Sequence, residues 1–299
     1  MSTDAPPRLS IGIIGAGKAG AVLGAALRRA GHHVNAVSAV SDISRLRAEA
    51  LLPGVPIVPV TEVGADADLV LIAVPDDVLP ELVRGLVASG AIHAGQFVVH
   101  PSGRYGLEVL APAYEVGALP LALHPVMTFT GTSIDLDRLA DTPFGVTAPE
   151  QIRPVAEALV VEMGGEPIWV PEEARSLYHA ALALGANYLN TLINASVALL
   201  AEAGMERPQR LIAPLLGASL DNALRQGDAA LTGPIARGDA QTVAAHVRVI
   251  SDVDPLAAAA YQAMGRLATD RALSSGLITM EQAGALLEVL ADSGRELNS

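Results

Sequence analysis

The sequence predicts an α/β protein, with a doubly wound, mostly parallel sheet over residues 9–171 followed by an all-helical domain over 172–299. Three observations carry that reading. A glycine-rich turn joins the first apolar run of the chain to an alanine-rich helical pattern. Short, nearly continuous apolar runs then recur through the first half, as strands covered by helices on both faces require. From Glu172 onward strand-like alternation stops and only helical periodicity remains.

The turn lies in Ile11 to Ala30, IGIIGAGKAGAVLGAALRRA. Gly15, Gly17 and Gly20 form GxGxxG: the first glycine permits a tight exit from the strand, the second lets a pyrophosphate approach the backbone, and the third lets helix and strand pack closely. Such a triplet also occurs in ordinary strand-to-helix turns, and glycine is frequent here, at 28 residues of 299. The context favours a dinucleotide site: a strand precedes the turn, a helix with apolar Val22, Leu23, Ala26 and Leu27 follows, and a second strand is expected over His33 to Ser38. The backbone of Gly15, Ala16, Gly17, Lys18, Ala19 and Gly20 is then the phosphate cradle, with the helix N-terminus favouring the anion.

Composition narrows the possibilities. A chain of 299 residues suits about two domains. With 51% hydrophobic and 17% charged residues it is globular, not disordered. Cysteine is absent, which removes disulfides, thiolate metal sites and a cysteine nucleophile, and makes the cytoplasm the simplest compartment. A net charge of −13 argues against a nucleic-acid partner. Met1 to Arg8 lacks an apolar core of signal-peptide length and reads as a loose tail, and no run of about 18 apolar residues marks a membrane span. No HExxH, GxSxG or carboxylate cluster with ligand spacing occurs, so neither a metal site nor serine hydrolysis is expected.

Along the first domain, the second strand ends where a carboxylate would grip the ribose hydroxyls of NAD, but Ser38 stands there. Ser38, Ser41 and Ser44 with Arg45 and Arg47 offer hydroxyls and guanidinium forks, which suit a ribose 2′-phosphate and hence NADP, with NAD as the alternative. The blander reading is that both arginines line the solvated face of a short helix. Asp68 to Val74, Phe97 to His100 and Ala118 to Leu123 are the next strands. Their exits, at Val74-Pro75, His100-Pro101-Ser102-Gly103 and His124-Pro125, point at one edge of a parallel sheet, where its ligand crevice lies. Val74, Pro75, His100 and Pro101 are thus expected at the cofactor. Phe144 to Thr147 and Pro167 to Val170, around a helix from Glu150 to Met163, complete the sheet.

Five helices are expected in the second domain, at about 172–203, 208–226, 240–250, 254–275 and 280–292. Pro208 and Pro255 suit first-turn positions, Asp239 and Thr279 suit N-caps, and Gly204, Gly227 and Gly276 suit stops. The first of these helices carries Ser176, His179, Asn187, Asn190 and Asn194 within a wedge about 90° wide. Asn194 is most simply a partner for backbone groups, whereas His179 and Asn187 suit a ligand cleft.

Together these stretches bring out a family likeness. IGIIGAGKAG, VLIAVPD, VVHPSG, LALHPVMTF, YHAALALGANYL and LTGPIARGD give the span from Ile11 to about Leu290 its resemblance to Rossmann-like bacterial proteins with a C-terminal helical domain of unknown function. Those proteins in turn resemble pyrroline-5-carboxylate reductase, ketopantoate reductase and the 6-phosphogluconate and 3-hydroxyacid dehydrogenases. The resemblance implies a Rossmann fold with a 6-phosphogluconate-dehydrogenase-like helical domain, an NAD(P)-dependent oxidoreductase activity, a substrate lying between the domains, and a homodimer built on the helical domain. One departure matters. The ketopantoate and 3-hydroxyacid enzymes carry a lysine one turn before an asparagine on the first helix, but four residues before Asn187 stands Ala183, and the chain's one lysine is Lys18.

The chemistry must then come from other groups. Adding hydride to C=O or C=N needs a donor that neutralises charge growing on oxygen or nitrogen. His124 and His179 are the expected acids, His100 is a further candidate, and Ser102 and Asn187 are expected to orient the substrate. The resemblance makes the substrate a small carboxylate, a ketopantoate-like 2-oxo acid first and a pyrroline-5-carboxylate-like imine next, so an arginine such as Arg104, Arg175 or Arg237 is expected to reach it. The absent lysine keeps open a different class, a non-catalytic NADP-binding sensor or scaffold. Assembly is read from Leu177, Leu182, Leu189, Leu192, Ile193, Val197 and Leu200, which leave the first helix of the second domain, ~45 Å long, apolar over a wide arc that a second copy would cover.

Overall fold

The structure, a computed structural model, describes residues 8–291. The chain divides into two compact units, the division falling between Leu184 and Gly185. The end of the expected second domain, 292–299, and residues 1–7 of the expected tail lie outside the described residues. Arg8 is not loose: its guanidinium pairs with Glu162 at 3.0 Å.

The first unit is a seven-stranded sheet of β1 (Ser10–Ile14), β2 (His33–Ser38), β3 (Leu69–Ile72), β4 (Phe97–His100), β5 (Leu119–Pro125), β6 (Pro143–Thr147) and β7 (Glu166–Trp169), in the order β2-β1-β3-β4-β5-β6-β7. All neighbours are parallel except β5 and β6. Helix α1 (Lys18–Arg29) carries the chain from β1 to β2, and α2 (Asp42–Leu51) starts its return past β1 to β3. The order therefore reverses between β1 and β3, the place where doubly wound sheets take their ligands at the strands' C-terminal ends.

Period-two alternation splits the core over the two faces. Ile11, Ile13, Leu69, Leu71, Val99, Leu121, Leu123 and Phe144 pack against α1 and against Ala156, Leu159 and Val160 of α6 (Arg153–Glu162). Val70, Ile72 and Val98 pack on the other face against Leu79, Val83 and Leu86 of α3 (Leu79–Ala88) and Ala113 of α4 (Ala111–Glu115). This is the doubly wound arrangement. Neither α4 nor α5 (Ile134–Arg138) was expected, because five residues are too few to display a helical period. The helix expected from Glu150 opens as a 3-10 turn and becomes α only at Arg153, with Pro154 in its first turn.

The second half is helical: α7 (Arg175–Glu202), α8 (Pro208–Gln226), α9 (Gly233–Ala236), α10 (Ala240–Val253), α11 (Pro255–Ser274) and α12 (Met280–Val289). Its punctuation follows the sequence. Asp239 accepts the Thr242 N–H as the N-cap of α10, Thr279 and Gln282 form a capping box on α12, and Pro208 and Pro255 open α8 and α11. Gly204, Gly227 and Gly276 adopt positive φ after their helices. The four-residue α9 went unforeseen. Val243, Ala272, Ile278, Ala283, Leu286 and Leu290 form the core of this unit. The first turns of α7 belong with the sheet, so Arg175, Tyr178 and His179 are part of the first unit. Among the described residues no helix is long and apolar enough to cross a membrane.

Candidate active site

The glycine turn is built as its spacing requires. Gly15 has φ +95°, which favours glycine, and a Cβ there would overlap the Ala73 carbonyl at the end of β3. Gly20 lets α1 approach so closely that a Cβ would lie 2.8 Å from that of Ala73. Gly17 faces open space, with no atom within 4 Å of a would-be Cβ. It begins α1 without a side-chain cap and without an acid in the first turn. A small, uncapped helix start beside a crevice is a cradle that a pyrophosphate fits.

Ser38, at the end of β2, is turned inward: its Oγ accepts the Gly15 N–H at 3.2 Å, and its carbonyl accepts the N–H groups of Gly15 and Ala16. It braces the turn. Ser41 N-caps α2 by accepting the Ser44 N–H. Arg45 is exposed, whereas the neighbouring Arg47 leans back and donates from Nη1 to the Ala16 carbonyl at 3.3 Å. On its far side Arg47 meets Gly131, at φ +82°, where a Cβ would lie 2.6 Å from Arg47 Nε and 3.0 Å from Lys18 Cγ. Fully buried Asp135 fixes this loop by accepting the N–H groups of Thr130 and Gly131 at 2.8 Å. Two cations thus converge beside the cradle in a chain of net charge −13. Arg47 is the better placed of the two arginines, which spacing alone did not reveal.

At the end of β4 the buried His100 is fully engaged. Its Nε2 donates to the Gly106 carbonyl at 2.8 Å and its Nδ1 accepts the Ser102 N–H at 3.2 Å. Burial, reinforced by the charge of Arg175, pushes it down to about 4, so it is a neutral clasp on the loop that follows. Ser102 accepts the Tyr105 N–H, and Glu172 accepts those of Leu107 and Glu108. Four side-chain acceptors therefore hold one loop.

Arg175, in the first turn of α7, is the largest fully buried side chain. It donates to Thr147 Oγ1 at 2.7 Å and to the carbonyls of Gly145 at 2.9 Å, Ala122 at 3.1 Å and Ser102 at 3.4 Å. Its N–H groups are committed to neutral acceptors, and burial lowers its pKa from the usual range. Of the arginines expected at a substrate carboxylate, Arg104 remains in this unit, exposed and stacked on Tyr105 with 5.0 Å from Cζ to the ring centroid.

Above Arg175 the two expected acids meet. The rings of His124, from β5, and His179, from α7, lie edge to face with centroids 6.1 Å apart. A Cβ on Gly103 would lie 2.8 Å from His124 Nε2 and 2.7 Å from His179 Cδ2, so this glycine lets the loop after β4 pack directly against both rings. Tyr178, unnoticed in the sequence, places its hydroxyl 2.8 Å from His124 Nδ1. Burial, then the charge of Arg175, pushes His124 down to about 4. Within the first unit the structure thus brings together His124, His179 and the loop of Ser102. Asn187, Asn190 and Asn194 belong to the second unit, where they are exposed on α7.

The clasp has a measurable consequence. The folded His100 refuses a proton that its unfolded form takes up near 6.5, so its contribution is complete above that pH and is lost as pH falls towards 4. The span amounts to about 3 kcal/mol. Urea midpoints at pH 7.5, 5.5 and 4.5 should fall more steeply for the parent than for His100→Gln, and parallel profiles would refute this assignment.

Comparison with known proteins agrees with the architecture. The Rossmann-like domain family matches residues 2–125, and a domain of unknown function, DUF2520, matches residues 142–268. No curated protein sequence matches the chain. Similar solved structures include a Bacteroides fragilis protein provisionally named an NADP oxidoreductase, with TM-score 0.74, 21% identity, and coverage of 88% of this chain and 98% of that one. A protein from Thermotoga maritima gives 0.65 at 22% identity, covering 89% and 99%. The reductive aminase from Aspergillus terreus, in complex with NADPH and ethyl-5-oxohexanoate, gives 0.60 at 17%, covering 95% and 93%. Such identities establish likeness of fold. The chain joins a Rossmann-like domain to a C-terminal DUF2520 domain.

Proposed function

We propose that this protein is an NADPH-dependent reductase of a small carboxylate-bearing ketone or imine, a ketopantoate-like 2-oxo acid first and a pyrroline-5-carboxylate-like imine next. One observation carries the reading: a glycine cradle at the β1–β3 switch and a pair of imidazoles at the end of β5 occur on the same edge of one sheet. That a similar structure holds NADPH together with an oxo ester supports it.

The turn from Gly15 to Gly20, with Val74 and Pro75, would hold the cofactor's pyrophosphate. Arg47 and Lys18 would supply the charge that favours a 2′-phosphate. The cofactor, when bound, supplies hydride. The chain's own task is to orient the substrate and manage the charge left on oxygen or nitrogen. His124 and His179 meet beside Gly103, where one of them would provide the acid, and Arg104, the residue after Gly103, is our assignment for the substrate carboxylate.

The test uses calorimetry and turnover together. NADPH should bind at least about tenfold tighter than NADH, about 1.4 kcal/mol, with Arg47→Ala removing most of the difference. On a panel of 2-oxo acids and cyclic imines, loss of the acid through His124→Ala or His179→Ala should lower turnover by roughly 10²–10⁴ with cofactor affinity retained. Equal affinities would contradict the phosphate assignment. A parent that binds NADPH but reduces nothing would favour the non-catalytic sensor or scaffold, the reading for which the missing lysine speaks.

We also propose a homodimer through the helical unit. Leu211, Leu215, Leu220 and Leu224 are exposed along α8, as are Tyr188, Leu189 and Leu192 on α7, and Leu224 is 79% exposed. Large apolar side chains exposed on two helices call for cover, and a second copy of the same unit can supply it symmetrically. Light scattering at micromolar concentration should give twice the chain mass of 30.6 kDa, and the monomer mass would refute the assembly.

A further inference from the structure

Resting on that reading, we propose that Tyr178 is a positioning residue: its hydroxyl donates to His124 Nδ1, which fixes the single N–H of His124 on Nε2, beside His179, and leaves His179 to give the proton.

The direction of the Tyr178 hydrogen bond follows from chemistry. The unprotonated nitrogen of an imidazole is a better acceptor than a phenol oxygen, and a phenol O–H is a better donor than a neutral imidazole N–H. Among the described residues the Tyr178 hydroxyl has no other hydrogen-bond partner than His124 Nδ1, at 2.8 Å. Donation to Nδ1 therefore satisfies both groups, and the imidazole proton must reside on Nε2. Tyr178 is itself held in place. A Cβ on Gly145 would lie 2.8 Å from its Cζ, and the Arg175 guanidinium lies 5.8 Å from its ring centroid.

The other nitrogens are available. His124 Nε2 and both ring nitrogens of His179 have no hydrogen-bond partner among the described residues, and no buried side-chain nitrogen or oxygen is left unsatisfied there, so all three reach the surface. The groups facing His124 are Tyr178, His179 and Arg175 of α7 and His100 of β4. Burial and the Arg175 cation hold His124 in its neutral form. A neutral imidazole stabilises growing negative charge through its N–H but has no spare proton to transfer. As hydride adds to the substrate carbon, the π pair of C=O or C=N moves to oxygen or nitrogen. There it accepts a hydrogen bond from His124 Nε2 and takes a proton from the imidazolium of His179, which ends neutral.

The first measurement needs neither cofactor nor variant. Long-range ¹H–¹⁵N correlation spectra should show His124 as a neutral Nε2–H tautomer at pH 6 and above, and an Nδ1–H tautomer would overturn the proposal. In Tyr178→Phe the two tautomers should mix, with kcat falling roughly tenfold or more and KM little changed. Unchanged spectra in that variant would also overturn it. His179→Ala should lower kcat by roughly 10²–10⁴ with NADPH affinity retained, and unchanged turnover would remove His179 as the proton source. A parent with the fixed tautomer that reduces nothing on the substrate panel would instead overturn the reductase reading, and the catalytic part of this proposal with it.

Discussion

The buried guanidinium of Arg175 is the constraint on which the rest of the candidate site depends. Taking a cation out of water costs several kcal/mol unless its donors are matched. Among the described residues Arg175 makes no ion pair, and its match is Thr147 Oγ1 and the carbonyls of Ser102, Ala122 and Gly145. Those acceptors lie on the loop after β4, on β5 and on β6, so one side chain ties the start of α7 to three parts of the sheet unit. The antiparallel pairing of β6 with β5 brings Gly145 opposite His124, and the carbonyls of Gly145 and Ala122 both accept from Arg175 Nη2. The same cation adds to the burial that keeps His124 neutral, and it faces the ring of Tyr178. Arg175 thus contributes to both the geometry and the protonation of the site.

A second constraint shapes the opposite side of the crevice. The glycine turn needs Gly15 at positive φ, and Ser38 stabilises that conformation from β2. The loop fixed by Asp135 then lets Lys18 and Arg47 share the small space beside Gly131. Both sides follow the same plan, in which a buried polar group holds a loop and the glycine in that loop lets side chains pack directly against its backbone.

Much of the fold was legible because it rests on local patterns. The apolar runs of β3 to β5 read as strands covered on both faces, and Asp239, Thr279, Pro208 and Pro255 punctuate the helices as capping rules require. The candidate site was legible only in part. The GxGxxG turn and the two histidines at strand and helix ends carry their chemistry in residue type and place, but the commitment of a polar group depends on contacts far away in sequence. Residue type and place alone put Ser38 and His100 at the cofactor, whereas contacts across the fold make one a brace for the turn and the other a clasp on a loop. By the same signals Arg175 is available to a substrate, whereas β5 and β6 consume its donors. Tyr178 went unnoticed because nothing local marks its contact with His124, which lies 54 residues away.

The claim that Arg175 holds the loop can be tested by hydrogen exchange on Arg175→Lys, which keeps the charge but loses the planar fork. The account predicts that the amides of Tyr105, Leu107 and Glu108 exchange at least about tenfold faster than in the parent, while the amides of α12 keep their protection. Unchanged protection of the loop would contradict it.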